Sequence, residues 1–480
     1  MTGFWSAVEQ RAQLAPDAEM LVDEHGNRLS FAGFRERAER VSAGLAARGV
    51  AEGVAVTWQL PTGIDALVLT AALARLGAVQ NPVITAQGRG HLDFVLRETA
   101  AHLLITGELP ESTEAVPAAA PSTTTRWVFY TSGTTAEPKG ARHTDASVLA
   151  SARAMGERLR ITSADRVGMV FPVAHIGGCG TWLGASLLYG CALILDSAFD
   201  AHRSAALQRA ERVTLAGSGS VFTQGYLAAQ RLDPATPLFP DVRAFTCGGA
   251  GRPNTLHEEV KRELGGVGVL SGYGMTEAPI LAMAAPDDPD EAKARTEGRA
   301  STGVDLRVIG PDGSRLGPGK PGELRVAGPQ VMQGYVDASL DADAFDAEGY
   351  LRTGDLGSLD EAGYLTITGR LKDVIIRKGE TISARAIEDE LLLHPAIDDV
   401  AVFAVPDPDR GELACAVIVP VPGAPVPSLA DLVAHLREHG LPSRQCPERL
   451  CVVATLPRTS TGKVRKDALL AFVTGSVGGW

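Results

Sequence analysis

Cysteine is scarce in this chain of 480 residues: Cys179, Cys191, Cys247, Cys415, Cys446 and Cys451 include no C-x-x-C pair, and only the last two lie close together. A metal site built on thiolates is therefore not expected, and a reduced, cytoplasmic setting is. Excess positive charge is missing too. With 45 Lys and Arg against 57 Asp and Glu the net charge is −12, which gives no general attraction to nucleic acid. The first ten residues, Met1 to Gln10, lack a basic segment followed by an apolar one, so no cleaved signal peptide is expected. One stretch, Val167 to Leu195, lacks Asp, Glu, Lys and Arg altogether and is long enough to cross a bilayer. Pro172, His175 and six glycines inside it argue against a lipid-facing helix. A buried strand, a glycine-rich turn, a helix and a second strand at Ala192 to Leu195 are expected instead.

The length exceeds one hydrophobic core and calls for two or three domains. Up to about Leu104 helical and strand patterns alternate: a helix over Phe31 to Arg48 behind a Ser30 cap, a strand over Val54 to Leu60, a helix over Asp65 to Leu76. Glu108 to Thr125, rich in Pro, Ala, Ser and Thr, reads as a mobile surface connection. From Asp305 to Thr368 short β runs between Gly/Pro turns predict a small β subdomain. Beyond Lys372 two helical patterns (Ala384 to Leu393, Leu429 to Glu438) and two strands (Val400 to Val405, Ala414 to Val419) complete the chain. The expected fold is α/β: a large N-terminal domain (1–371) of α/β subdomains plus a small β-barrel-like subdomain, then a small mobile α+β C-terminal domain (373–480), with the hinge at Lys372. No internal repeat is present.

Four segments carry chemistry. Thr131-Ser132-Gly133-Thr134-Thr135-Ala136-Glu137-Pro138-Lys139-Gly140 follows the apolar strand Trp127 to Tyr130; hydroxyls, glycines and one cation in that order suit an anion, above all a phosphate. A P-loop NTPase is excluded, because Pro138 precedes the lysine and Gly140 stands where that motif needs Ser or Thr. Ser271-Gly272-Tyr273-Gly274-Met275-Thr276-Glu277 reads as a tight glycine-flanked turn presenting a ring, a hydroxyl and a carboxylate, as a nucleotide with a divalent cation requires. Asp355, in Arg352-Thr353-Gly354-Asp355, reads as a carboxylate at a strand-to-turn junction able to accept two sugar hydroxyls, with Arg370 beside it. Thr459-Ser460-Thr461-Gly462-Lys463 puts a lysine on a flexible loop.

In this order the segments resemble the signatures of the adenylate-forming superfamily: acyl- and aryl-CoA synthetases, peptide-synthetase adenylation domains and beetle luciferases. The resemblance covers about Trp5 to Leu470. It implies that ATP, Mg²⁺ and coenzyme A are used, and that Thr131, Ser132, Gly133, Thr134, Thr135 and Lys139 cradle phosphate. It also implies that Tyr273, between Gly272 and Gly274, lies against adenine, that Thr276 contacts the α-phosphate, that Glu277 with Thr131 holds Mg²⁺, and that Asp355 and Arg370 hold the ribose. Lys463 would bridge the substrate carboxylate and the α-phosphate. Arg377 to Ser383 resembles the loop lining the thiol tunnel after rotation about Lys372, with Gly379 leaving room for pantetheine; Lys378 and Thr381 depart from the family pattern.

The acid is read from Pro172 to Gly178. By resemblance His175 borders the carboxylate pocket and acts as its gate. Amino-acid-activating relatives place an Asp where Ile176 stands, and an unpartnered buried ammonium is very costly, so a substrate without an α-amine is expected. Ala174, Ile176, Trp182 and Phe245 are expected to line an apolar pocket to which Gly248 and Gly249 give space. By the resemblance of Asn81-Pro82-Val83-Ile84, Pro172 to Ile176 and Lys378 to Ser383 to bacterial synthetases acting on cyclohexanecarboxylate-type and medium-chain acids, a medium-chain or alicyclic acid ranks first, an aromatic acid next and a long-chain acid third. The reaction expected is acid–CoA ligation through an acyl-adenylate. Loading of a separate carrier protein is the alternative, and a silent nucleotide-binding module a remote one. The expected partners are small molecules, with no nucleic acid and no membrane span.

Overall fold

The computed structural model describes residues 3–131, 138–217, 219–249, 251–377, 380–407, 410–459 and 462–475. Two largely parallel sheets form its larger part. The first runs Leu103–Ile105, Ala55–Trp58, Val79–Pro82, Trp127–Tyr130, Gly140–His143, parallel until the last strand turns back. The second has nine strands, parallel from Glu19–Asp23 through Ala192–Leu195, Arg166–Met169, Leu215–Gly217 and Ala244–Gly248 to Val269–Met275, with antiparallel edges. The helix Ile64–Leu76 is apolar almost all round and buried at every position but Asp65 and Arg75, as a helix packed on several sides must be. Gly77, left-handed at φ 67°, ends it. Ser30 caps the helix Phe31–Ala46 by accepting the Gly33 N–H, as its sequence signal predicts.

A four-stranded antiparallel sheet follows (Asp305–Ile309, Gly322–Ala327, Leu351–Leu359, Leu365–Arg370), then a 3-10 turn at Leu371–Asp373. Beyond it the long ribbon Ile397–Asp407 and Gly411–Pro420 alternates strictly. Val400, Val402, Ala414, Ala416 and Ile418 pack under the helices Ala384–Leu391 and Leu429–Glu438. Ala401, Phe403, Val405, Cys415 and Val417 face the helix Lys466–Val473. A ribbon buried on both faces reads as the continuous apolar runs seen in the sequence.

As expected, the charge-free stretch is a strand, then a glycine-rich, π-helical turn Ile176–Trp182 leading into the helix Leu183–Tyr189 and the strand Ala192–Leu195. Its glycines allow close packing: a Cβ on Gly178 would fall 2.5 Å from the Val173 Cα. Among the described residues no helix is long and apolar enough to cross a membrane. The 108–125 connection is irregular but pinned to the surface. Glu111 pairs with Arg37 and Arg40, the Val116 carbonyl accepts from Arg75, and the Ala119 N–H donates to the Arg75 carbonyl. Composition alone could not reveal those anchors, because they lie on distant helices. The glycines Gly272 and Gly274, finally, lie in the strand Val269–Met275 and not in a turn; only Thr276 and Glu277 turn, into the strand Ala278–Met283.

Candidate active site

The strand Trp127–Tyr130 returns as Gly140–His143, and the loop between them closes with the Thr131 N–H on the Lys139 carbonyl (3.0 Å) and the Lys139 N–H on Thr131 Oγ1 (3.3 Å). Ser132, Gly133, Thr134 and Thr135 lie outside the described residues. Lys139 is exposed, and its ammonium stands 5.4 Å over the Tyr335 ring. The Tyr335 hydroxyl donates to Glu277 Oε1 at 2.8 Å. Burial, reinforced by the Glu277 carboxylate, holds the Tyr335 phenol well above its ordinary pKa, so it remains a donor. Tyr335 thus joins Lys139 to the carboxylate expected to hold a metal. Its Gly334-Tyr335 pair is one of five Gly-Tyr pairs in the chain and does not mark it.

His143 is a second residue that the motifs missed. Fully buried, it donates through Nε2 to the Thr276 carbonyl (2.9 Å) and meets Ser147 Oγ through Nδ1 (3.1 Å), fixing the Thr276-Glu277 turn from beneath. Burial lowers its pKa to about 4, against the opposing pull of that carbonyl. An unfolded imidazole titrates near 6.5, so between about pH 6.5 and 4 the folded state binds fewer protons than the unfolded one. Stability contributed here is complete above that window and is lost as pH falls through it, by at most about 3 kcal/mol. Urea unfolding at a series of pH values checks this: His143→Gln should be weaker at neutral pH yet show a shallower acid decline, and an unchanged decline would contradict the assignment.

Asp355 lies within the strand Leu351–Leu359, directly opposite Arg370, rather than at a strand-to-turn junction. The register explains the pair: Arg370 Nε donates to Oδ1 (2.8 Å) and the Tyr273 hydroxyl to Oδ2 (2.7 Å). Each carboxylate oxygen keeps a further lone pair. Burial, with this carboxylate alongside, pushes the Tyr273 phenol well above its ordinary pKa.

Lys463 comes from the other end of the chain. Its loop is closed by Arg458, which donates to the Gly462 carbonyl (2.6 Å), and by the Lys463 N–H on Thr459 Oγ1 (3.1 Å). Burial lowers the Lys463 pKa, as do the nearby Arg370 and, more weakly, Lys372; Asp355 and Glu277 oppose them. One ammonium therefore stands within electrostatic reach of the ribose, metal and hinge candidates together. His175 feels it too: burial, then Lys463, lowers the imidazole to about 4, leaving a neutral ring that accepts the Gly177 N–H (3.1 Å).

His175, Ala174, Ile176 and Thr276 line a narrow cleft with Tyr130, Phe129 and Gln87. It meets, at Ile84 and Ala174, a cavity of about 200 Å³ bounded by Leu60, Phe171, Phe199 and Phe222. No Asp or Glu is among the described residues lining either one. Gly248 and Gly249 line neither, and nor do Trp182 and Phe245. Strand alternation is the reason for Phe245: with Cys247 it faces the core beneath the helices Ser220–Leu232 and Leu256–Glu263, whereas Ala244 faces the opposite layer. Trp182 is consumed by the core around the π-helical turn. Lys378 and Gly379 lie outside the described residues.

The family model for the AMP-binding enzyme matches residues 8–128 and 108–336, and that for the AMP-binding enzyme C-terminal domain matches 386–463. The chain belongs to the AMP-binding enzyme family. It stands among the acyl- and aryl-CoA synthetases of the adenylate-forming superfamily. This AMP-binding enzyme is 31% identical to a medium-chain fatty-acid–CoA ligase of Escherichia coli, over 98% of the chain and 89% of the relative. It is 31% identical to a salicyl-AMP ligase / salicyl-S-ArCP synthetase of Mycobacterium tuberculosis over 99% and 93%. Its fold matches the o-succinylbenzoate CoA synthetase of Bacillus subtilis, solved with ATP and magnesium ion, at a TM-score of 0.85 and 27% identity over 96% and 98%. The two N-terminal matches meet over 108–128, the pinned connection, and neither family model reaches Lys372.

Proposed function

We propose that the enzyme joins a carboxylic acid without an α-amine to coenzyme A at the expense of ATP, a medium-chain or alicyclic acid first and an aromatic acid next. The observation that carries this reading is that Lys463 stands within electrostatic reach of Asp355, Glu277 and Arg370. Carboxylate attack on an α-phosphorus brings anions together, so it needs positioning and cations where charge accumulates. A carboxylate oxygen bonds the α-phosphorus, the bond to the β-phosphate breaks, and pyrophosphate leaves; the thiol sulfur, giving up its proton, then bonds the acyl carbon, the acyl C–O bond to the phosphate breaks, and AMP departs. Lys463 and Lys139 steady the phosphates and Asp355 holds the ribose. His175, neutral, bounds the carboxylate without repelling a cation. A hard-oxygen donor such as the Glu277 carboxylate, oriented by Tyr335, fits Mg²⁺, which when bound adds positive charge at the phosphates. The second step would require the segment beyond Lys372 to withdraw, with the exposed turn Leu371–Asp373 as the hinge between domains 1–371 and 373–480. A cytoplasmic site of action accords with these substrates.

The substrate reading is supported by the lack of Asp and Glu among the described residues lining the cleft and by the buried Ile176. An ammonium buried there without a partner costs about 3–5 kcal/mol, so 2-amino analogues should fall at least about 10²-fold below their parent acids in kcat/KM. Steady-state assays of octanoate against 2-aminooctanoate and of cyclohexanecarboxylate against 1-aminocyclohexanecarboxylate test this; equal rates would remove the argument. Transfer to a carrier protein is the second reading, favoured by the similarity to the salicyl-S-ArCP synthetase, and dependence on free coenzyme A separates the two.

A further inference from the structure

Arg385 opens the helix Ala384–Leu391 and reaches across to the larger part of the enzyme, where its Nη2 donates to the Arg252 carbonyl at 3.2 Å. It fits because residue 251 is glycine: a Cβ there would stand 1.3 Å from Arg385 Nη1. The seat is rigid. Arg252 is buried and its guanidinium donates to the carbonyls of Lys293 (2.7 Å), Ala294 (2.6 Å) and Thr296 (2.9 Å) at the end of the helix Asp290–Arg295. The start of that helix is tied in turn, since Asp290 pairs with Lys261 and Lys293. Ser220 Oγ donates to the Gly251 carbonyl at 3.1 Å, and the neighbouring Val221 abuts Gly462 beside Lys463. On the other side, Glu388 of the Arg385 helix holds Lys466 at 2.8 Å, three residues after Lys463.

We propose that Arg385 is a positioning residue for adenylation, its guanidinium seated at Gly251-Arg252 so that the helix Ala384–Leu391 delivers the Lys463 loop to the phosphates. This rests on the ligase reading, and it makes the contact specific to the first half-reaction. Asp389 pairs with the same guanidinium (2.8 Å) within its own helix.

Three variants test it. Arg385→Ala removes the latch, Arg385→Lys retains the charge, and Gly251→Ala expels the guanidinium by meeting only the end of a flexible side chain. Acid-dependent ATP–pyrophosphate exchange should fall about tenfold in kcat for Arg385→Ala and Gly251→Ala, a loss on the scale of one charged hydrogen bond, with ATP KM little changed and partial recovery in Arg385→Lys. Thioester formation from supplied acyl-adenylate should keep its rate. Equal loss in both half-reactions, or in neither, overturns the proposal. Hydrogen exchange of 251–256 and 384–391 in the ligand-free protein reads the latch without turnover: faster exchange in both Arg385→Ala and Gly251→Ala is expected, and unchanged exchange overturns the latch even where the ligase reading fails and no acid supports exchange.

Discussion

Lys463→Ala is expected to lower acid-dependent pyrophosphate exchange by about 10³-fold, the scale of losing one preorganised charge partner in a transition state, while supplied acyl-adenylate is still converted to thioester near the wild-type rate. The expectation follows from where the ammonium stands. Arg370 cannot take its place, because its Nε is committed to Asp355, and Lys139 lies out over Tyr335 on the opposite loop. Burial and the neighbouring Arg370 already lower the Lys463 pKa, so in the empty enzyme this cation is held at some cost, and phosphate and carboxylate anions relieve it. Lys463→Arg is not a rescue, since a planar fork presents its charge differently from a compact ammonium. Rapid-quench assays of the two half-reactions give the answer, and equal losses in both would contradict the role.

Asp355→Ala is expected to raise the ATP KM about 10²-fold, since two sugar hydroxyls lose charged acceptors worth about 1.5 kcal/mol or more each. It also acts on the fold. Tyr273 is buried and its hydroxyl would be left without an acceptor, a loss of about 1–3 kcal/mol; Arg370, with a side chain 43% exposed, adds little because water screens it. Asp355→Asn separates the two effects. An amide oxygen still accepts from Tyr273, so thermal stability should recover in part while the ATP KM stays high. Recovery of both would make Asp355 a structural residue only.

Much of this site is legible in sequence because local motifs dictate local geometry. Trp127–Tyr130 is a strand within its predicted bounds, Ser30 caps its helix, and Thr276-Glu277 turns between paired strands. What escaped detection was long-range. Tyr335 reaches Glu277 across 58 positions and His143 reaches Thr276 across 133; neither neighbour is marked by spacing. Asp355 stands beside Arg370 as the sequence suggests, but its setting inside a strand follows from a register that only the assembled sheet defines. The pocket lining differs for a related reason: aromatic content suggests Phe245 as a wall, whereas strand alternation turns it into the core.

The central claim is that this site cleaves ATP between the α- and β-phosphates by means of a carboxylate that carries no amine. Mass spectrometry of products formed from ATP, Mg²⁺ and a panel of fatty, alicyclic and aromatic acids, with and without coenzyme A, tests it most directly. The account predicts AMP and pyrophosphate, an acyl-adenylate when the thiol is withheld and an acyl-CoA when it is present. Release of ADP and phosphate, or ATP turnover indifferent to every acid, would contradict it.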